Sequence, residues 1–156
     1  MHLENRALRS SFYVFIMVAL FGCAVPASKP DANKMATEVY YPVIQPGKTW
    51  RDAANDLLNI LREGKGVWAD MGNTSVPIKC AIINNKIELL SQNEGRMVSA
   101  FYIYQLLDRP IVLVGIKPSI IALPGSIKLR FSDNMINEAR KAADAFYFFQ
   151  QDVKNY

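Results

Sequence analysis

The feature that most narrows the possible folds is a switch in the spacing of apolar residues. Trp50, Ala53, Ala54, Leu57, Leu58 and Leu61 recur at three- and four-residue intervals, the mark of a helix that buries one stripe. From Val67 to Phe131 the interval falls to two, in short segments separated by turn-forming residues. From Met135 the helical interval returns, through Ala139, Ala142, Ala143, Phe146 and Phe149. Thr49 is placed to cap the first helix, with Asp52 three residues on and Gly64 as its stop. Ser132 or Asp133 is expected to cap the last helix. A chain patterned in this way is α+β, with an antiparallel meander between two helices.

The strand-forming region reads as six or seven strands. Val67–Met71 comes first, and Ile78–Ile83 and Lys86–Leu90 flank Asn84-Asn85, which suits a two-residue hairpin because asparagine tolerates positive φ. The run from Arg96 to Leu107 is apolar on both alternating faces, as expected of a central strand covered on both sides. Ile111–Val114, Ser119–Leu123 and Ile127–Phe131 follow, with a type II turn expected at Pro124-Gly125. Upstream, 37–44 can form a short edge strand, since Pro42 disfavours a central position. This order of strands with a closing C-terminal helix resembles a pleckstrin-homology-like barrel over about residues 67–151, departing from it in the helix that precedes the strands. An open sheet with both helices on one face fits the same pattern. The resemblance implies a binding role of unspecified ligand, because such barrels host many.

The amino-terminal part has a different character. Arg6 and Arg9 precede an apolar run from Phe12 to Gly22. As a helix that run covers about 16 Å, against a hydrocarbon core of about 30 Å. A basic start, a short apolar middle and a small-residue exit describe an export signal. Leu20-Phe21-Gly22-Cys23 resembles the lipobox of bacterial lipoproteins, with Phe21 bulkier than the commonest choice. That resemblance implies cleavage between Gly22 and Cys23, a diacylglyceryl thioether on Cys23 and acylation, such as palmitate, of the new amino terminus. Two or more chains hold a protein stably on a membrane, whereas one does so only reversibly. Ala24 after the cysteine implies the periplasmic, inner leaflet of an outer membrane. The expected organisation is therefore a signal over 1–22, a lipidated tether over 23–36 and one globular domain over 37–156.

With residues 1–22 removed, the sole histidine, His2, is lost, and lipidation occupies one of the two cysteines. What remains has no Ser-His-Asp or Cys-His pair, no histidine zinc site, no second thiol for Cys80 and no glycine-rich phosphate loop. Cys80 is expected in the core. The sequence carries +4 formal charge with no block of one sign, which argues against a nucleic-acid partner. No cofactor and no metal is expected. The reading is a non-catalytic, lipid-anchored binding domain whose partner is an envelope protein or lipid. Exposed aromatics are its candidate contacts: Tyr40, Tyr41, Tyr102, Tyr104 and Tyr147. A carboxylate enzyme acting on glycans and a carrier of small apolar ligands are the alternatives. Intact mass of the membrane-extracted protein tests the anchor: a species beginning at Cys23 with added acyl mass is expected. Replacing Cys23 by Ser is expected to abolish that processing and release the domain from the membrane fraction.

Overall fold

The structure, a computed structural model, describes residues 38–64, 67–72, 74–115 and 118–155. These lie within one compact unit, Thr37–Tyr156. Gly22 and Cys23, and with them the expected cleavage and lipidation site, lie outside the described residues.

Helix α1, Trp50–Glu63, forms where the apolar stripe places it. Thr49 caps it: the Asp52 N–H donates to Thr49 Oγ1 at 3.2 Å, and the Thr49 N–H donates to Asp52 Oδ2 at 2.9 Å. The Thr49 hydroxyl also donates to that carboxylate at 2.6 Å, and these bonds hold the Asp52 carboxyl below its ordinary pKa. Gly64 ends the helix in the left-handed region at φ 61°, and a Cβ there would run into the Gln92 side chain.

Eight strands build one antiparallel sheet: β1 Val39–Tyr40, β2 Val67–Met71, β3 Thr74–Ile83, β4 Lys86–Ser91, β5 Met97–Tyr102, β6 Leu113–Val114, β7 Ser119–Ala122 and β8 Lys128–Phe131. Their order across the open sheet is β1-β6-β7-β8-β2-β3-β4-β5. The span from Val67 to Phe131 supplies seven strands and Val39–Tyr40 adds an eighth beside β6. Two consecutive meanders, β2 to β5 and β6 to β8, are joined where β8 pairs with β2 in the register Val67↔Phe131 and Ala69↔Leu129.

Register puts the buried apolar residues of every long strand on one side. Leu129, Ala69 and Val76 are directly paired neighbours, and Ile78, Cys80 and Ile82 continue that face along β3. Leu89 and Ile87 of β4, then Phe101 of β5, carry it to the far edge. On this face lies helix α2, Ile136–Lys154, which buries Ala139, Ala142, Ala143, Phe146 and Phe149. The Phe101 and Phe146 rings meet at 6.5 Å between centroids. Trp50 joins the two helices, its ring 5.4 Å from that of Phe149. Cys80 sits in this core, where burial pushes its thiol up to about 12.

Four details depart from the expectation. β3 begins at Thr74, not Ile78, and contains Pro77. The proline is tolerated because its carbonyl accepts the Gln92 N–H at 3.1 Å just past the end of β4, where its missing N–H interrupts no ladder. The apolar run Arg96–Leu107 is not a central strand. β5 stops at Tyr102 on the edge of the sheet, and Ile103–Asp108 is a 3₁₀ helix. Its buried residues, Ile103 and Leu106, are three apart, the 3₁₀ period, while Tyr104 and Leu107 face solvent. Gly125 has the expected positive φ, but Ser126 shares it at 65°, and the loop closes by a Leu123 N–H bond to Ile127 O at 2.8 Å. Finally, α2 starts at Ile136 with Met135 as its cap residue, after a turn in which Ser132 O accepts the Met135 N–H.

Gln150, buried on α2, fixes the 3₁₀ helix and the loop after it. Its side-chain amide donates to Leu106 O and, at 2.8 Å, to Arg109 O. Gln150→Leu keeps much of the volume and leaves both carbonyls without their donor. It is expected to cost about 1–3 kcal/mol, read as a lower urea midpoint at unchanged m.

Candidate ligand-binding site

The five tyrosines have different fates. Tyr40 is engaged within the fold: its O–H donates to Asp144 Oδ1 at 2.9 Å, and the same oxygen accepts the Val43 N–H at 2.9 Å. Arg140 lies 5.4 Å above the Tyr40 ring and pairs with Glu38 at 3.4 Å. Residues 38–43 are thereby fastened to α2. Tyr41 points away and is 71% exposed, next to the exposed Val43 and Ile44. Tyr147 is half-buried against the core. Tyr102 and Tyr104 stand together, exposed, their rings stacked at 5.5 Å and 15°.

Tyr104 of the stacked pair borders a pocket of about 480 Å³, lined also by Trp50, Asn85, Ile103, Asp152 and Val153. Four separate elements meet there. Asn84 and Asn85 adopt φ of 48° and 59°, making the two-residue turn between β3 and β4. The Ile103 N–H donates to Asn85 O at 2.9 Å, which locks that turn to the start of the 3₁₀ helix. The Tyr102 N–H, facing the free edge of the sheet, donates instead to Gln105 Oε1 at 2.8 Å. This bond turns the chain off the strand, so that Ile103 goes inward and Tyr104 outward. Trp50, the first residue of α1, and Asp152 and Val153, in the last turn of α2, complete the lining.

Of the lining residues, sequence reasoning singled out only Tyr104. Trp50 reads there as part of a helical stripe and Asn85 as part of a turn. The available signal was that Trp50 opens its stripe at the helix start, where a bulky ring overhangs the end of the core. It remains 38% exposed.

Two other pockets lie around the salt bridge between Asp70 and Arg130, which joins β2 and β8 on the face away from the helices. One, of about 300 Å³, has Asp70, Arg109 and Lys128 in its wall; the other, of about 340 Å³, has Trp68 and Arg130. The buried carboxylates are both engaged, Asp70 with Arg130 and Asp144 with Tyr40 and Val43. Among the described residues no three of His, Cys, Asp and Glu converge as a metal set, and no helix is long and apolar enough to cross a membrane.

Burial, then the bond to Asp144, raises the Tyr40 hydroxyl to about 12. An acid whose pKa is higher folded than unfolded stabilises the fold while it is protonated in both states. Its contribution is complete below pH 10 and falls as pH rises from 10 towards 12. Tyr40→Phe is expected to lose about 1–2 kcal/mol at neutral pH, and the gap from the unmodified protein should narrow above pH 10 in denaturant melts. No family model, no curated protein and no solved structure matches this chain.

Proposed function

We propose that this chain is a lipid-anchored envelope lipoprotein, processed before Cys23, whose domain over 37–156 is a non-catalytic binding module. Its partner is an envelope protein or lipid, met at the periplasmic face of the outer membrane. The observation that carries the binding role is the pocket between Trp50 and Tyr104, with the stacked Tyr102 beside it. Exposed aromatic rings around a concavity lose free energy to water and regain it against a ligand, and they lose little rotamer freedom in doing so.

The fold reading that accompanies this proposal is the pleckstrin-homology-like barrel. It is supported by the run β5-β4-β3-β2-β8-β7-β6 followed by a helix packed on the apolar face, with β1 and α1 as additions. An enzyme working through paired carboxylates is the weaker reading, because Asp70 and Asp144 already serve structural partners. A carrier of apolar ligands is weaker too, because Phe131, Phe146 and Phe149 fill the space between sheet and helices.

A photo-crosslinking residue at Tyr104 in the native envelope tests the module. A discrete adduct is expected, absent when the crosslinker replaces exposed Glu63 and reduced about tenfold or more when Trp50→Leu is added. Equal labelling from both positions would count against the pocket as the contact site.

A further inference from the structure

The lining of the Trp50–Tyr104 pocket has a one-sided electrostatic character. Two aromatic residues, Trp50 and Tyr104, line it, and the negative face of a π-system attracts a cation. Its only charged lining residue is Asp152, whose carboxylate has no hydrogen-bond or ion-pair partner among the described residues. Asp152 stands in the last turn of α2, where the helix's unpaired carbonyls add partial negative charge. The opposing positive end of α1, at Trp50, is already answered by Asp52. Lys86, opposite Tyr102 in register, is held by Glu88 at 3.3 Å, and Lys154 stands exposed in the same last turn of α2 as Asp152 but is not among the lining residues. Among the described residues no Lys or Arg lines the pocket.

Resting on the binding-module reading, we infer that this pocket takes an organic cation carrying apolar groups, an alkylated ammonium. A bare metal ion fits poorly. Calcium takes about six to eight oxygen ligands, whereas one carboxylate and one amide are offered beside Ile103 and Val153. A neutral ligand leaves the Asp152 charge unanswered. An ammonium dressed with methyl or methylene groups satisfies all three parts at once: rings against its C–H surface, Asp152 against its charge, and the aliphatic floor against its hydrocarbon. The pocket, about 480 Å³, lies in the usual size range for small organic ligands. The same group occurs on free small molecules and on zwitterionic lipid headgroups.

The test uses the full chain carrying Cys23→Ser, so that no acyl anchor contributes, titrated with choline chloride and with its uncharged carbon isostere 3,3-dimethylbutan-1-ol. Saturable binding of choline, at least about tenfold tighter than the isostere, is expected. Asp152→Asn should weaken it about fivefold or more and Trp50→Leu about tenfold or more. Because Trp50 also touches Phe149, the exposed Tyr104→Leu gives the second aromatic variant, with thermal melts confirming that each variant folds. Vesicles of phosphatidylcholine, with and without competing choline, distinguish the sources: choline-sensitive pelleting assigns the headgroup, and choline binding without pelleting assigns a soluble ligand. Equal binding of the isostere, an unchanged affinity in Asp152→Asn, or no saturation by choline would overturn the inference. If choline fails while Tyr104 still crosslinks its envelope neighbour, the ligand class is wrong and the module stands. If both fail, the module falls with it.

Discussion

The structure depends on one parity rule, kept from one edge of the sheet to the other. The buried apolar side chains of β2, β3, β4 and β8 fall on the face that meets α2 and α1, and the pairings Leu129↔Ala69↔Val76 and Cys80↔Leu89 keep them in step. Side chains alternate with a period of two, so a slip of one residue at any pairing would turn a whole strand's apolar set to water. Burial supplies the driving force, at roughly 25 cal/mol per Å² of apolar surface. The tight Asn84-Asn85 turn and the β8–β2 pairing hold the frame to which that force is applied.

Where local chemistry decides, the sequence is readable. The Thr49–Asp52 cap, the Gly64 stop, the Asn84-Asn85 hairpin and the alternation of Lys128 to Phe131 all appear at the expected positions. Where tertiary context decides, it is not. The stretch Arg96–Leu107 has apolar residues at every spacing, so period alone does not separate a strand from a strand followed by a 3₁₀ helix. The boundary is set by the Gln105 side chain taking the Tyr102 N–H and by Gln150 reaching across from α2. The strand expected over Ile78–Ile83 begins earlier, at Thr74, because Pro77 lies beyond the end of β4, where its missing N–H interrupts no ladder. The pocket is the extreme case: positions 50, 85, 103 and 152 are brought together by the sheet's topology, and no local pattern links them.

Buried charge is handled sparingly. Asp70 is partnered by Arg130, and Asp144 accepts two donors, so each carboxylate taken from water regains hydrogen bonds or a counter-charge. Asp152, half-buried beside two aromatic rings, stands outside that pattern, and this contrast gives the pocket its chemical direction.

Asp144 and Asp152 ride on one helix, eight residues apart, or about 12 Å along its axis. The first grips the strand through which the chain enters the domain, and the second lines the pocket. Residues 38–43 are therefore held by α2 as well as by the two-residue pairing of β1 with β6. One stiff rod of 19 residues thus carries both carboxylates, so that displacing residues 40–43 and filling the cavity would act on the same lever.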